Sequence, residues 1–167
     1  GFEAVDAPEW FRELTETVMQ RCGIPPELAP NSCNCNLYNH GLEAVGWHSD
    51  DEPLFLATQA DACIVSLSLG ATRTFEVRDD AAHGEILCSV DLNDGDLCTM
   101  EGLFQKHLRH RITKDPGVKS PRINLTWRWV VKHSWRDGCE VQNADAPLQG
   151  LGPSLYRWAL THRGHPG

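Results

Sequence analysis

Two potential metal ligands, His48 and Asp50, stand two residues apart. In an extended segment, side chains two residues apart point to the same side, so this imidazole and this carboxylate converge on one point. Two histidines and one carboxylate on one face of an octahedron are the ligand set of non-haem Fe(II) oxygenases, which keep open positions for oxygen and a cosubstrate. The pair is also typical of polar residues in a surface turn, so the metal hypothesis needs a third ligand from a distant strand.

Several later histidines are candidates for that third ligand: His83, His107, His110 and His133. An alternative interpretation takes His107 and His110 together as a zinc pair. That pair would need further thiolate or imidazole ligands, and no cysteine close in the sequence supplies one. The residues themselves leave the choice of the third ligand open.

A second candidate is the segment 122–128, which has an arginine at each end of its polar face. Arg122 and Arg128 stand about 20 Å apart on a straight strand, so only curvature and an elongated dianion would join both to one ligand. 2-Oxoglutarate is such a dianion, and the forked donors of a guanidinium suit its carboxylates. Asn36 and Tyr38 share a face of an earlier segment and could add neutral hydrogen bonds. An ordinary surface strand shows the same alternation.

The chain around these residues has mainly the pattern of β-strands. After Asn31, apolar and polar residues alternate in short runs, and clusters of Asn, Asp and Gly separate the runs. Many short strands with turn signals between them predict a mainly β fold, a β-sandwich or jelly roll. The alternating runs cover residues 33–38, 62–69, 74–78, 86–92 and 122–129.

One helix is predicted before the strands. Asp6 is the expected cap, Pro8 lies in the first turn, and apolar residues at positions 10, 14, 18 and 22 form one stripe. Gly23 ends the helix, and two prolines follow it. We expect this amphipathic helix to pack on the β-structure.

The C-terminal segment, residues 133–167, loses the alternating pattern. Leu155, Trp158 and Ala159 fit one helical turn, and Gly, Pro and Asn are frequent around them. We therefore expect the core to cover residues 1–132 and residues 133–167 to form a tail or linker of unknown role.

Composition limits the class of protein. A chain of 167 residues with 41% hydrophobic residues suits one globular domain. It has no run of about 18 apolar residues and no N-terminal signal pattern, so we expect no membrane span and no membrane partner. The seven cysteines are odd in number and form no C-x-x-C pair. Thiols in an intracellular, reducing compartment are favoured over a disulfide framework.

The charge is unevenly distributed. The net charge of −8 argues against a general nucleic-acid binder. Residues 101–136, however, hold nine Lys or Arg against two Asp or Glu, a local balance of +7 that leaves −15 for the remainder. A basic face could guide an anionic substrate, unless some of these arginines are internal ligands.

Together, these motifs resemble the AlkB family of oxidative demethylases. The resemblance rests on His48-Ser-Asp50, on His110-Arg-Ile112 and on the whole segment 122–128. The stretches 36–41, 66–75 and 95–100 also look like family segments. The similarity covers about residues 31–132, and both the order and the spacing of the motifs agree.

The resemblance implies a double-stranded β-helix, which is a jelly-roll arrangement. It implies Fe(II), 2-oxoglutarate and O2, with His48, Asp50 and His110 as the iron ligands. The other implied roles concern the cosubstrate and the substrate. Arg122, Asn124 and Tyr38 would surround the distal carboxylate of 2-oxoglutarate, Asn36 and Arg128 would lie near the carboxylate beside the iron, and Glu52 would touch the substrate base.

The activity implied is oxidative demethylation of N-methylated nucleobases in DNA or RNA, with release of formaldehyde, succinate and CO2. Methylated nucleic acid is therefore the expected partner, and the chain is taken as a monomer. An alternative is a 2-oxoglutarate oxygenase that acts on a protein or a small molecule, because the acidic charge and the short segment before Asn31 depart from the family pattern. A non-catalytic binding domain is disfavoured, because the ligand triad and both arginines are all present.

Overall fold

We obtained a computed structural model that describes residues 6–59, 61–81, 85–131 and the backbone of 156–161. The chain divides into two compact units, residues 1–30 and 31–167. The elements are α1 (Glu9–Arg21), a 3-10 turn (Pro26–Leu28), β1 (Ser32–Tyr38), β2 (Val45–His48), β3 (Ala62–Gly70), β4 (Arg73–Asp79), β5 (Ile86–Leu92), β6 (Leu97–Gly102), α2 (Phe104–His107), β7 (Leu108–Ile112), β8 (Arg122–Arg128) and β9 (Tyr156–Thr161).

The predicted N-terminal helix is present as α1, but its predicted cap is wrong. The N-cap is Pro8, and no side chain caps the first turn. The carbonyl of Pro8 accepts the amide hydrogens of Phe11 and Arg12, so helical hydrogen bonding begins two residues later than Asp6 would place it. Val18 of the predicted apolar stripe is buried, whereas Trp10 of the same stripe is 64% exposed. The packing of this helix on the β-structure stays a prediction.

The β-strands form two antiparallel sheets. The five-stranded sheet has the order β1-β8-β3-β6-β9, and the four-stranded sheet has the order β2-β7-β4-β5. Because sequence neighbours such as β3 and β4 belong to different sheets, the chain crosses repeatedly from one sheet to the other. This mainly β, antiparallel arrangement confirms the predicted jelly roll.

The hydrophobic core joins side chains from both sheets. Apolar residues on alternate positions point inward, as the period of two in these strands requires. The buried cluster is completed by Phe104 of α2, whose side chain is fully buried. Its members are Ile64, Phe75, Val77, Leu92, Cys98, Met100, Phe104, Leu108 and Ile112.

The C-terminal segment departs from the sequence-based expectation. Trp158 and Ala159 lie in β9, not in a helical turn, and β9 pairs antiparallel with β6 at the edge of the larger sheet. Apart from this strand, residues 133–167 lie outside the described part of the chain. The boundary at residue 132 and the role of the remaining segment stay predictions.

The other composition-based expectations concern cysteines and membranes. Within the described ranges, six cysteines are thiols and none is joined in a disulfide bond; Cys139 lies outside those ranges. The helices of the described residues are too short or too polar to cross a bilayer.

Candidate active site

Strand pairing brings the predicted metal ligands together. The antiparallel register of β2 and β7 places His48 opposite His110, and their ring centroids are 4.2 Å apart. Asp50 follows β2 after one residue, and its Oδ2 lies 4.0 Å from Nε2 of His110. One ligand atom from each of the three side chains lies within 4.8 Å of the others. The competing His107 ends α2 and is not part of this group.

The other two candidates for the third ligand, His83 and His133, lie outside the described residues.

Both histidines are held in a form that suits metal binding. Nδ1 of His48 lies 2.8 Å from the carbonyl oxygen of Gly46, so a proton on Nδ1 donates to that oxygen and leaves the Nε2 lone pair for a metal. Burial lowers the pKa of His110 to about 3, and the charges of His48 and Arg128 act in the same direction. His110 is therefore neutral at physiological pH and keeps a lone pair for a metal.

Asp50 is fixed by two residues from other elements. Its Oδ1 accepts a hydrogen bond of 2.6 Å from Nη2 of Arg128, at the end of β8. Its backbone N–H donates to Oε1 of Gln105, in α2, at 2.9 Å. Burial raises the pKa of Asp50, and the positive charge of Arg128 opposes that shift. The carboxylate thus has one oxygen held by Arg128, while Oδ2 faces His110.

Four of the five proposed cosubstrate residues meet where β1 pairs with β8, whereas the fifth, Arg128, donates to Asp50. The register sets Tyr38 opposite Arg122 and Asn36 opposite Asn124. Arg122 is only 1% exposed. Its guanidinium carbon lies 5.3 Å from the centroid of the Tyr38 ring. These four side chains come together because the inward positions of two adjacent strands share one face of the sheet.

Arg122 has donors that the protein does not use. Nη2 donates to Oγ of Ser68 at 2.7 Å and to Oδ1 of Asn124 at 2.8 Å. Nε and Nη1 are buried and have no hydrogen-bond partner in the protein. Burial lowers the pKa of Arg122 to about 10. A buried cation with two unpartnered nitrogens is a suitable site for a carboxylate, since unpaired buried charge is costly.

One cavity of about 250 Å³ is lined by every residue that the sequence analysis assigned to the metal, the cosubstrate or the substrate. Glu52, the proposed substrate contact, is exposed and is part of this lining. Both sheets contribute to the wall. The lining residues are Asn34, Asn36, Tyr38, Val45, His48, Asp50, Glu52, Ser66, Phe75, Leu92, Met100, His110, Ile112, Arg122, Asn124, Thr126 and Arg128.

Sequence reasoning missed several residues of this site. Gln105 holds the backbone of Asp50 from a distant helix, and no periodic pattern marks it. Ser68 accepts from Arg122, and Ser66 donates to Asn124 at 2.9 Å. The two serines did carry a signal, because small polar residues occupy one face of an otherwise apolar strand.

The comparisons with known proteins agree with this geometry. The family model of the 2OG-Fe(II) oxygenase superfamily matches residues 1–128. The chain belongs to this superfamily. Within the superfamily, the resemblance to the AlkB family is confirmed by curated relatives.

One relative of this superfamily member is the human alpha-ketoglutarate-dependent dioxygenase alkB homolog 3. It is 42% identical over 131 residues, which are 74% of this chain and 44% of the relative. Another is the DNA oxidative demethylase ALKBH2 of Arabidopsis thaliana, 29% identical over 142 residues, 72% of this chain and 44% of the relative. The chain thus spans less than half the length of these relatives. The solved structure of OsALKBH1 aligns with 73% of this chain and 65% of the OsALKBH1 chain, with a TM-score of 0.53 and 24% identity. This similarity concerns the fold.

The residues of the site fit the two groups that the name of the superfamily implies, Fe(II) and 2-oxoglutarate. Two imidazoles and one carboxylate lie within 4.8 Å of one another, and this donor set is the one that non-haem Fe(II) oxygenases use. In the same cavity, the unpartnered nitrogens of Arg122 suit a carboxylate of the cosubstrate. O2 is the third reactant that the family implies.

Proposed function

We propose that the protein is an Fe(II)- and 2-oxoglutarate-dependent oxidative demethylase of N-methylated nucleobases in DNA or RNA. The observation that carries the proposal is that one cavity is lined by the triad of His48, Asp50 and His110, by the buried Arg122 and by Glu52. The relatives support it, because one is named a dioxygenase and another a DNA oxidative demethylase.

In this proposal, the chain's own residues bind and orient the reactants. His48, Asp50 and His110 would hold the metal, and Arg128 fixes the orientation of the Asp50 carboxylate by its hydrogen bond of 2.6 Å. Arg122 binds the distal carboxylate of 2-oxoglutarate with its unpartnered nitrogens. When bound, iron, 2-oxoglutarate and O2 supply the oxidation of the N-methyl carbon, which leaves as formaldehyde while succinate and CO2 are released.

Several residues restrict the cavity and set the substrate. Phe75 and Phe104 are buried, and their rings lie 5.5 and 6.0 Å from that of His110, so they keep water away from the back of this ligand. Asn36 and Asn124 add neutral hydrogen-bonding groups to the wall. Glu52 lines the cavity, and we assign to its carboxylate the role of accepting a hydrogen bond from the exocyclic amino group of adenine or cytosine.

The partner and the compartment follow from this activity. We propose methylated nucleic acid as the partner of a monomeric enzyme in an intracellular, reducing compartment, where the six described thiols would persist.

A panel of methylated oligonucleotides tests the proposal. Single- and double-stranded DNA and RNA, each with one N-methylated adenine or cytosine, are incubated with the protein, Fe(II), 2-oxoglutarate and O2. We expect formaldehyde and succinate in equal amounts, and neither product in excess of background with unmethylated strands or without Fe(II). Succinate formation that only a protein or small-molecule substrate stimulates would establish the alternative, and the absence of any succinate would exclude an oxygenase.

A further inference from the structure

Arg73 is a buried cation that has no role in the site described above. It opens β4, is 2% exposed, and is among the largest fully buried side chains of the described residues. A single nitrogen, Nη2, lies within hydrogen-bonding distance of three backbone carbonyl oxygens, which share its two hydrogens: those of Thr113 at 2.6 Å, Glu43 at 2.7 Å and Gly41 at 3.2 Å. Nε and Nη1 are buried and have no partner in the protein. A cation buried at this cost calls for an explanation beyond packing.

The three carbonyls belong to two loops. Residues 39–44 join β1 to β2, and residues 113–121 join β7 to β8. Two backbone hydrogen bonds also connect the loops: Gly41 N–H donates to the carbonyl of Val118 at 2.9 Å, and Asp115 N–H donates to the carbonyl of Gly41 at 2.8 Å. We call Arg73 with these two loops the loop clamp.

The loops approach so closely at Gly41 that no side chain fits there. A Cβ at this position would lie 1.7 Å from the carbonyl oxygen of Asp115, whereas nothing shorter than about 3 Å occurs between such atoms. The contact is therefore between two backbones and leaves little freedom to either loop. What fixes one loop also fixes the other.

The loop clamp lies next to the residues that we propose for the cosubstrate. One loop begins directly after Tyr38, and the other ends directly before Arg122. The Tyr38 ring is near both guanidinium groups, with its centroid 5.5 Å from Cζ of Arg73 and 5.3 Å from Cζ of Arg122. Both distances are within the range of cation–π attraction, about 6 Å. Arg73 thus contacts the Tyr38 ring directly. It also binds the two loops that adjoin Tyr38 and Arg122 in the sequence.

We propose that Arg73 is a positioning residue for 2-oxoglutarate, which acts on the distal carboxylate through Tyr38 and the loop clamp. This inference rests on the proposed function, since it assigns the distal carboxylate to Arg122 and Tyr38. Arg73 does not line the cavity, so it affects the cosubstrate through its neighbours. Its positive charge adds to that of Arg122 at the end of the cavity where the carboxylate binds.

The first test measures equilibrium binding of 2-oxoglutarate by titration calorimetry, with Mn(II) in place of Fe(II) and without O2 or nucleic acid. Arg73→Lys keeps the charge, but its shorter side chain brings the ammonium less far towards the three carbonyls. We expect it to weaken 2-oxoglutarate binding about tenfold, the usual size of coupling between contacting residues. Affinity for Mn(II) should stay unchanged. Arg109→Lys, whose side chain pairs with Asp80, is the matched control and should change neither affinity.

A double-mutant cycle separates positioning from general damage. Tyr38→Leu removes the ring that Arg73 contacts. Arg73→Lys should therefore weaken 2-oxoglutarate binding less than about twofold further in this background if Arg73 acts through Tyr38. Additive losses, or an equal loss of Mn(II) affinity in Arg73→Lys, would overturn the proposal. Because nucleic acid is absent, failure of the demethylase proposal would not affect this result.

A second measurement needs no substitution. If the loop clamp favours cosubstrate binding, then bound cosubstrate must stabilise the loop clamp by the same free energy. We expect 2-oxoglutarate to slow amide hydrogen exchange at Gly41 and Asp115 in the unaltered protein, whereas amides of α1 should not respond. Exchange at these two amides that stays the same on 2-oxoglutarate binding would refute the role of the loop clamp, even if Arg73→Lys failed to fold.

Discussion

The proposed role of Arg122 can be tested by its removal. In Arg122→Ala, the cavity loses a guanidinium that is 1% exposed and has two nitrogens without a protein partner. Breaking a buried ion pair by removing one partner costs about 3–5 kcal/mol. At about 1.4 kcal/mol per factor of ten, 2-oxoglutarate should bind roughly a hundredfold to several-thousandfold more weakly. Arg122→Lys should recover only part of this loss, because an ammonium group cannot form the forked pair.

The assay is titration calorimetry of 2-oxoglutarate against the Mn(II)-loaded protein under nitrogen. Thermal unfolding is followed in parallel, because Ser68 and Asn124 also lose a donor when Arg122 is removed. Arg109→Ala serves as the control, since this arginine pairs with Asp80 at a more exposed position. Unchanged 2-oxoglutarate affinity in a folded Arg122→Ala protein would refute the assignment of the distal carboxylate to this residue.

Three further predictions concern the metal and the substrate. His110→Ala should abolish 2-oxoglutarate turnover and Mn(II) binding, whereas His107→Ala should keep substantial activity. The reverse result would show that the assignment of His110 as the third ligand is wrong. Gln105→Leu should lower Mn(II) affinity about 10- to 100-fold, the usual effect of losing a group that orients a ligand, and unchanged affinity in a metal titration would contradict this. Glu52→Ala should slow formaldehyde release from a methylated oligonucleotide, because it should raise the activation free energy by roughly 1–3 kcal/mol. It should spare succinate formation without substrate, and equal loss of both products would assign Glu52 to the metal site or the fold.

Local patterns predicted the strands well, since a half-buried strand shows its period directly in the sequence. The alternation after Asn31 anticipated β1, β3, β4, β5 and β8. The pattern misled at the C-terminus, where the spacing of Leu155, Trp158 and Ala159 looks helical although Trp158 and Ala159 lie in β9. Three positions are too few to distinguish the helical period from the strand period. The segment forms a strand because it pairs with β6.

The metal site shows what a sequence pattern leaves open. The spacing of His48 and Asp50 places both side chains on one side of an extended chain, a purely local property. The choice between His107 and His110 depends on the register between β2 and β7, which sets His48 opposite His110. Register is a property of the folded sheet, so only the family resemblance could favour His110 in advance. Gln105 was missed because its contact also forms only in the folded chain: its side chain accepts a hydrogen bond from the amide of Asp50, 55 residues away.

Arg73 differs from Gln105, because its own strand carries a signal. In β4, Phe75 and Val77 alternate with polar residues, and Arg73 falls in phase with the two apolar side chains. A period of two therefore places this arginine inside the fold, where an unpaired cation would be costly. An arginine on the apolar phase of a strand predicts buried acceptors at the place where that strand begins. The carbonyls of Glu43 and Thr113 are such acceptors, and their loops flank the residues proposed to bind the cosubstrate.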